Sequence, residues 1–367
     1  MTVKSISILF EESASILCAI MNLYETKRVR ILPDKVGVAV VGVGFVGGQA
    51  HVPSFKKIIG SELVALGATS EKRVKPLADQ YGVKYYLDYD MLLEDPNVQA
   101  VVLAVPTPAH FDLAMKAMKK GKHVQCEMPI APTIEQIKEL QKAAERMGVI
   151  LMPTLQFRFA PIYIKIREIM ASGAIGKPIA IHFREFIPAT SIAEQWPIGS
   201  WAWDIKRSGG YPDFTLSVWS IDLIRWMFET EISDVEWMSN YPKLEKQGGI
   251  LGYNTMGLIK LSNGIVGSLH YSASVTPSAS TSRLEVYGDN TNVLHALWFN
   301  KILLYGTDQT PQEWNLDVKG TRVWGHRQID EYFIECIIQS KQPKITVEDA
   351  IRAQEIAQRI TKNMNII

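Results

Sequence analysis

The chain has 367 residues, with 39 Lys+Arg against 38 Asp+Glu and a formal net charge of +1. At roughly 150 residues per domain this leaves room for two domains, and 47% apolar with 21% charged residues excludes a disordered chain. So balanced a charge leaves no electrostatic footprint for nucleic acid, and Cys18, Cys126 and Cys336 are too far apart for a disulfide framework or a CxxC metal site. No apolar run approaches the roughly 18 residues of a membrane-spanning helix, so the composition reads as that of a soluble cytoplasmic protein. Residues 1–34 form an N-terminal extension. Within it, residues 6–20 read as an amphipathic arm rather than a signal peptide, because Glu11 and Glu12 interrupt the apolar run and no small-residue cleavage site follows.

Strands and helices alternate from Lys35 to about residue 155. The apolar, β-branched runs 36–42, 62–66, 83–86, 99–105, 123–127 and 149–153 read as strands. Helices are expected at 51–59, 71–81 (with Pro76 as a possible disturbance), 109–120 and 133–147, the last capped by Thr133 and ended by Gly148. Such alternation predicts an α/β domain with a parallel sheet, here a Rossmann dinucleotide-binding domain over 35–155.

Residues 156–367 follow a different pattern. A helix at 161–172 precedes period-two strands at 179–186, 235–241, 283–288, 293–299 and 301–306, with a hairpin around Asn263-Gly264. Helices return at 329–339 and 347–360. This predicts a C-terminal α+β domain built on a large, mainly antiparallel open sheet, whose last helix packs back on the first domain.

Gly42-Val43-Gly44-Phe45-Val46-Gly47 is a GxGxxG at a strand-to-helix junction. Gly42 suits the tight turn, Gly44 the close approach of a pyrophosphate, and Gly47 close helix–strand packing. Phe45 and Val46 lie in the same loop. An NAD site usually carries a carboxylate at the end of the second strand. Here Gly67-Ala68-Thr69-Ser70-Glu71-Lys72-Arg73 offers hydroxyls and cations instead, so Thr69, Ser70 and Arg73 favour the 2′-phosphate of NADP over NAD.

The loop with His51, the run Ala104-Val105-Pro106-Thr107-Pro108-Ala109-His110, Gly121-Lys122-His123-Val124, Phe157-Arg158-Phe159, Ser172–Gly176 and Ser208-Gly209-Gly210 through Asp222 together resemble the glucose–fructose oxidoreductase / inositol dehydrogenase (Gfo/Idh/MocA) family. The resemblance runs from Lys35 to the end. It implies an NAD(P)-dependent oxidoreductase acting on a CH–OH or carbonyl group of a small, sugar-like compound. It also implies a homodimer or homotetramer formed through the C-terminal sheet, and a cofactor site including Val105, Pro106, Thr107, His110, Glu127 and Met128.

Two departures matter. Where the family carries Glu-Lys-Pro this chain has Glu127-Met128-Pro129, and the family's histidine position falls on Trp219, or on Ser217 in an alternative register. With both proton-handling groups gone, Tyr211, Asp213 and His110 are the candidate catalytic residues, Lys206 being a further local cation. Arg158, Trp201, Trp203, Tyr211 and Thr215 are the candidate substrate residues. The indoles belong to a 31-residue stretch (196–226) holding Trp196, Trp201, Trp203, Trp219 and Trp226, suited to stacking on a sugar ring. Two alternatives stand beside this reading: a redox-neutral NAD-dependent lyase or glycosidase, and a non-catalytic dinucleotide or sugar sensor. The seven histidines show no metal-ligand spacing, and no metal site is expected.

Overall fold

The computed structural model describes residues 35–308, 310–319 and 324–362; the expected amphipathic arm lies outside them. Six strands, β1 (Val36–Val41), β2 (Ser61–Gly67), β3 (Lys84–Tyr86), β4 (Ala100–Leu103), β5 (His123–Cys126) and β6 (Leu151–Pro153), form one sheet in the order β3-β2-β1-β4-β5-β6. Every pairing is parallel. Central strands β1 and β4 are buried along their whole length, which is why they read as unbroken apolar runs. The intervening helices are α1 (Val52–Phe55), α2 (Glu71–Tyr81), α3 (Tyr89–Glu94), α4 (His110–Lys119) and α5 (Ile134–Met147). As expected, the Thr133 hydroxyl accepts from the Gln136 N–H and Gly148 closes α5 with φ +64°.

The helix after the glycine loop differs from expectation. A five-residue π turn, Gly47–His51, precedes a single α turn, α1. Pro53 has no N–H to donate, so a regular α ladder cannot run through that point. Pro76, by contrast, leaves α2 whole: it faces solvent, where water can bond the freed carbonyl.

The rest of the chain comprises α6 (Pro161–Ala171), β7 (Pro178–Pro188), α7 (Ala189–Gln195), α8 (Ile205–Ser208), α9 (Pro212–Phe228), β8 (Ile232–Asn240), β9 (Lys243–Leu244), β10 (Ile250–Leu251), β11 (Asn254–Leu261), β12 (Val266–Val275), β13 (Thr281–Gly288), β14 (Val293–Leu297), β15 (Lys301–Tyr305), β16 (Gln312–Asn315), α10 (His326–Ile338) and α11 (Val347–Lys362). Eight of these strands make a second sheet, ordered β16-β15-β14-β13-β7-β12-β11-β8, in which only β7–β12 is parallel. Burial alternates along β11 and β13, so one face looks inward and the other is open. The hairpin turn at Asn263-Gly264 joins β11 to β12, with Gly264 at φ +93°. Elements α3, α7, α8, β9, β10 and β16 are too short to leave a readable period.

Both C-terminal helices reach back to the first sheet. From α10, Asp330 bonds His51, and from α11 the Gln354 amide donates to the Ala131 carbonyl at 2.9 Å. Ahead of α6, Arg158 is committed to this internal framework rather than to a substrate anion. Its guanidinium grips Asp222 in α9 through two nitrogens and reaches Asp349 in α11 at 2.9 Å. The Asp222 side chain is 1% exposed, so the pair is screened little by water. Truncating Asp222→Ala leaves a largely buried cation short of its counter-charge, a loss of about 3–5 kcal/mol. Urea unfolding of this variant is expected to show a lower midpoint at unchanged slope; a midpoint equal to the parent's would refute the framework role.

Candidate dinucleotide-binding and active site

In an open parallel sheet, ligands bind beyond the carboxyl ends of the strands where the order reverses. Here the reversal lies between β1 and β4. The predicted cofactor residues all fall at that edge: Gly42–Gly47 after β1, Thr69, Ser70 and Arg73 after β2, Val105–Thr107 after β4, and Glu127-Met128 after β5. Gly42 has φ +94°, and a Cβ there would lie 2.3 Å from the Ala104 carbonyl oxygen. A Cβ on Gly47 would lie 1.8 Å from the Gly42 carbonyl oxygen. Gly44 is the opposite case, exposed and with nothing within 4 Å of its missing Cβ. Two glycines thus answer to packing and the third to open space, the division a pyrophosphate cradle requires. Neither Lys72 nor Arg73 forms an ion pair among the described residues. Met128 is 3% exposed and packs in the core.

Behind the crevice lies a buried polar cluster. The His51 Nδ1 lies 2.9 Å and 3.1 Å from the two Asp330 oxygens, and its Nε2 lies 2.9 Å from Glu127 Oε1. The Gln125 amide donates to Asp330 at 2.8 Å. Burial opposes a charge on His51, but Asp330 and Glu127 outweigh it and lift the imidazole to about 10. Burial also opposes ionising Glu127, yet His51 holds its carboxyl below the usual range. His326, at the start of α10, stands edge-on to His51 with ring centroids 5.5 Å apart; desolvation drops its imidazole to about 4. Trp324 links this ring to Phe45 of the glycine loop, 6.2 Å from each.

His110 is occupied rather than poised. Its two ring nitrogens contact the carbonyls of Pro129 at 2.8 Å and Val105 at 2.7 Å, and burial lowers its pKa. That geometry braces the ends of β4 and β5 together and leaves no nitrogen for a substrate.

On the far wall, Tyr211 caps α9 and packs against Trp203 (5.7 Å) and edge-on to Tyr241 (4.9 Å). Its hydroxyl has no hydrogen-bond partner among the described residues. Trp203 donates to the Trp196 carbonyl at 2.8 Å, and Trp201 stands edge-on to Trp196. Asp213 is fully buried: it accepts from Tyr241 (2.9 Å) and Thr255, its Oδ1 has no partner, and burial raises its pKa. Thr215 is buried within α9. Trp219 donates its indole N–H to the Thr154 carbonyl at 3.1 Å, tying the end of β6 to α9. Trp226, by contrast, carries the Arg167 guanidinium over its ring at 4.4 Å.

Three groups escaped the sequence reading. Asp330 and His326 meet His51 only through tertiary contact, across sequence separations that no local pattern reveals. The third is Glu185 in β7, in register between Tyr271 of β12 and Ser282 of β13. It makes no hydrogen bond or ion pair among the described residues, and burial alone lifts it to about 7.

Comparison with known proteins agrees with this arrangement. The Gfo/Idh/MocA oxidoreductase model with an NAD-binding Rossmann fold matches residues 36–155, and the GFO/IDH/MocA C-terminal domain model matches 163–293. The chain belongs to the Gfo/Idh/MocA family. It is 26% identical over 325 residues to scyllo-inositol 2-dehydrogenase (NAD(+)) of Bacillus subtilis, covering 87% of this chain and 91% of that protein. It is 27% identical over 238 residues to 1,5-anhydro-D-fructose reductase of Ensifer adhaerens, covering 64% of this chain and 68% of that one. The structure of myo-inositol 2-dehydrogenase from Lactobacillus plantarum shares the fold, with a TM-score of 0.75 at 24% identity over 90% of this chain and 97% of that one. As a family member the chain is an NAD(P)-dependent oxidoreductase.

The glycine geometry separates binding from folding. Gly44→Leu is expected to weaken NADPH binding by at least about tenfold, or about 1.4 kcal/mol, while leaving thermal stability unchanged. Gly47→Leu is expected to lower the melting temperature, since its Cβ meets backbone. Fluorescence titration and calorimetry of the two variants check this; a Gly44→Leu protein that binds NADPH normally would refute the cradle.

Proposed function

We propose that this protein is an NADP-preferring oxidoreductase acting on a CH–OH or carbonyl group of a small, sugar-like compound, with a proton-handling group that differs from the family's lysine and histidine. The observation that carries the reading is the open space over Gly44 at the β1/β4 reversal, the cradle for a dinucleotide. The bound nicotinamide supplies hydride transfer. Gly42–Gly47 would hold its pyrophosphate, and the unpaired Lys72 and Arg73 with Thr69 and Ser70 would face a 2′-phosphate.

The chain must move a proton to or from the reacting oxygen. Among the sequence candidates Tyr211 retains a free hydroxyl, whereas Asp213 is bonded within the wall and His110 is bonded to carbonyls. Glu185, unpartnered and lifted to about 7, is the structure's own addition. Were Glu185 the base in the oxidation direction, kcat would rise with pH through about 7. Trp201 and Trp203 offer faces for a sugar ring.

Turnover of NADPH and of NADH against a panel of keto-sugars tests the reading. Tyr211→Phe is expected to lower kcat by about 10²–10⁴-fold if it handles the proton. Glu185→Gln removes the inflection near pH 7 if the role falls to that residue, and Arg73→Ala erodes the preference for NADPH. Tight NADPH binding without turnover on any substrate would sink the oxidoreductase chemistry.

The open face of the second sheet supports assembly of like subunits. Met238 and Met256 are cross-strand partners there, next to Leu258 and Val266, and these four side chains are 48–71% exposed. A patch of this kind on a sheet face marks an interface. Light scattering is expected to show a homodimer or homotetramer that Leu258→Glu with Met256→Glu dissociates; a monomeric parent protein would overturn it.

A further inference from the structure

We propose that His51, Glu127 and His326 bind one divalent transition-metal ion of the zinc class, with Asp330 supporting His51 from behind. One ligand atom from each residue lies within 4.8 Å of the others, and all three residues are buried. Glu127 Oε1 is the centre: His51 Nε2 lies 2.9 Å from it and His326 Nε2 lies 3.9 Å from it. Ligand atoms around a tetrahedral ion with bonds of about 2.0–2.2 Å stand roughly 3.4 Å apart, between those two distances. Two imidazoles and one carboxylate with an open fourth position form a known donor set for zinc.

Two independent features point to an ion rather than to a self-contained cluster. First, His326 is 5% exposed, and its Nε2 lies 3.9 Å from Glu127 Oε1, close to it yet beyond hydrogen-bond reach. A cation between His326 Nε2 and Glu127 Oε1 would join two buried polar atoms that no hydrogen bond joins. Second, His51 is already held as a metal ligand is held. Its Nδ1 faces Asp330, which the Gln125 amide fixes in turn, and its Nε2 faces Glu127 Oε1, the second proposed ligand, at 2.9 Å. The charges also close. Two carboxylates with one imidazolium bury a net negative charge, whereas two carboxylates, two neutral rings and a divalent ion bury none. Phe55, stacked on His51 at 6.4 Å, and Trp324 screen the cluster from water.

The site stands on this geometry and not on the oxidoreductase reading, and its test needs no substrate. The full-length protein is stripped with a chelator, dialysed, and titrated with Zn²⁺ against a fluorescent competitor and with Co²⁺ by visible absorption. Binding of one ion per chain is expected, with the strong visible bands of four- or five-coordinate Co²⁺. His326→Phe, which forfeits no hydrogen bond, is expected to keep the parent's melting temperature and to lose the stoichiometric ion. Asp330→Asn is expected to weaken binding by about 10–100-fold. Absence of stoichiometric binding by the parent protein, or binding unchanged in a folded His326→Phe variant, would overturn the site.

Discussion

The interaction on which this architecture turns is the buried contact of His51 with two carboxylates. His51 comes from the π turn after the glycine loop, Glu127 from the end of β5, and Asp330 from α10 near the end of the described chain. One ring therefore ties together the phosphate loop, the strand bearing the altered family signature, and a helix contributed by the C-terminal part. A polar ring so deep is tolerable because it has partners within hydrogen-bond distance on both sides. The geometry of the crevice depends on that tie, since Glu127 has no freedom to turn while His51 holds it.

Around this tie the crevice divides its labour. Steric crowding at Gly42 and Gly47 shapes the loop, and emptiness at Gly44 leaves the backbone approachable. His110 clamps the loops after β4 and β5, and Trp219 clamps β6 to α9. Trp219 is thus spent on packing, and Met128 lies in the core. The aromatic residues Trp203, Tyr211 and Tyr241 pack together beside the buried Asp213, and the His–Glu–His cluster lies behind the strand ends.

Much of the fold was legible because each element has a period or a punctuation mark with a physical cause. The buried parallel strands are apolar throughout, α5 begins at a capping threonine and ends at a left-handed glycine, and Asn263-Gly264 turns a hairpin. Errors fell where the cause was not periodic. The helix expected over 51–59 is a π turn and one α turn ending at Phe55, Pro76 proved harmless on a solvent face, and the one- and two-turn pieces left no pattern. At the site, the glycine loop was readable because backbone geometry demands glycine at fixed offsets. Arg158 was misassigned because nothing local announces Asp222 and Asp349.

By itself the sequence determined the two-sheet architecture and the dinucleotide loop, both of which follow from residue type at short range. Only the tertiary structure decided which polar groups are free. Arg158, His110 and Asp213 look reactive in the sequence and are bonded in the fold, while the Glu185 carboxyl and His326 Nδ1 look unremarkable in the sequence and have no hydrogen-bond partner among the described residues. The physical reason is that burial makes a polar side chain choose a partner, and those partners lie up to 279 residues away along the chain, as with His51 and Asp330.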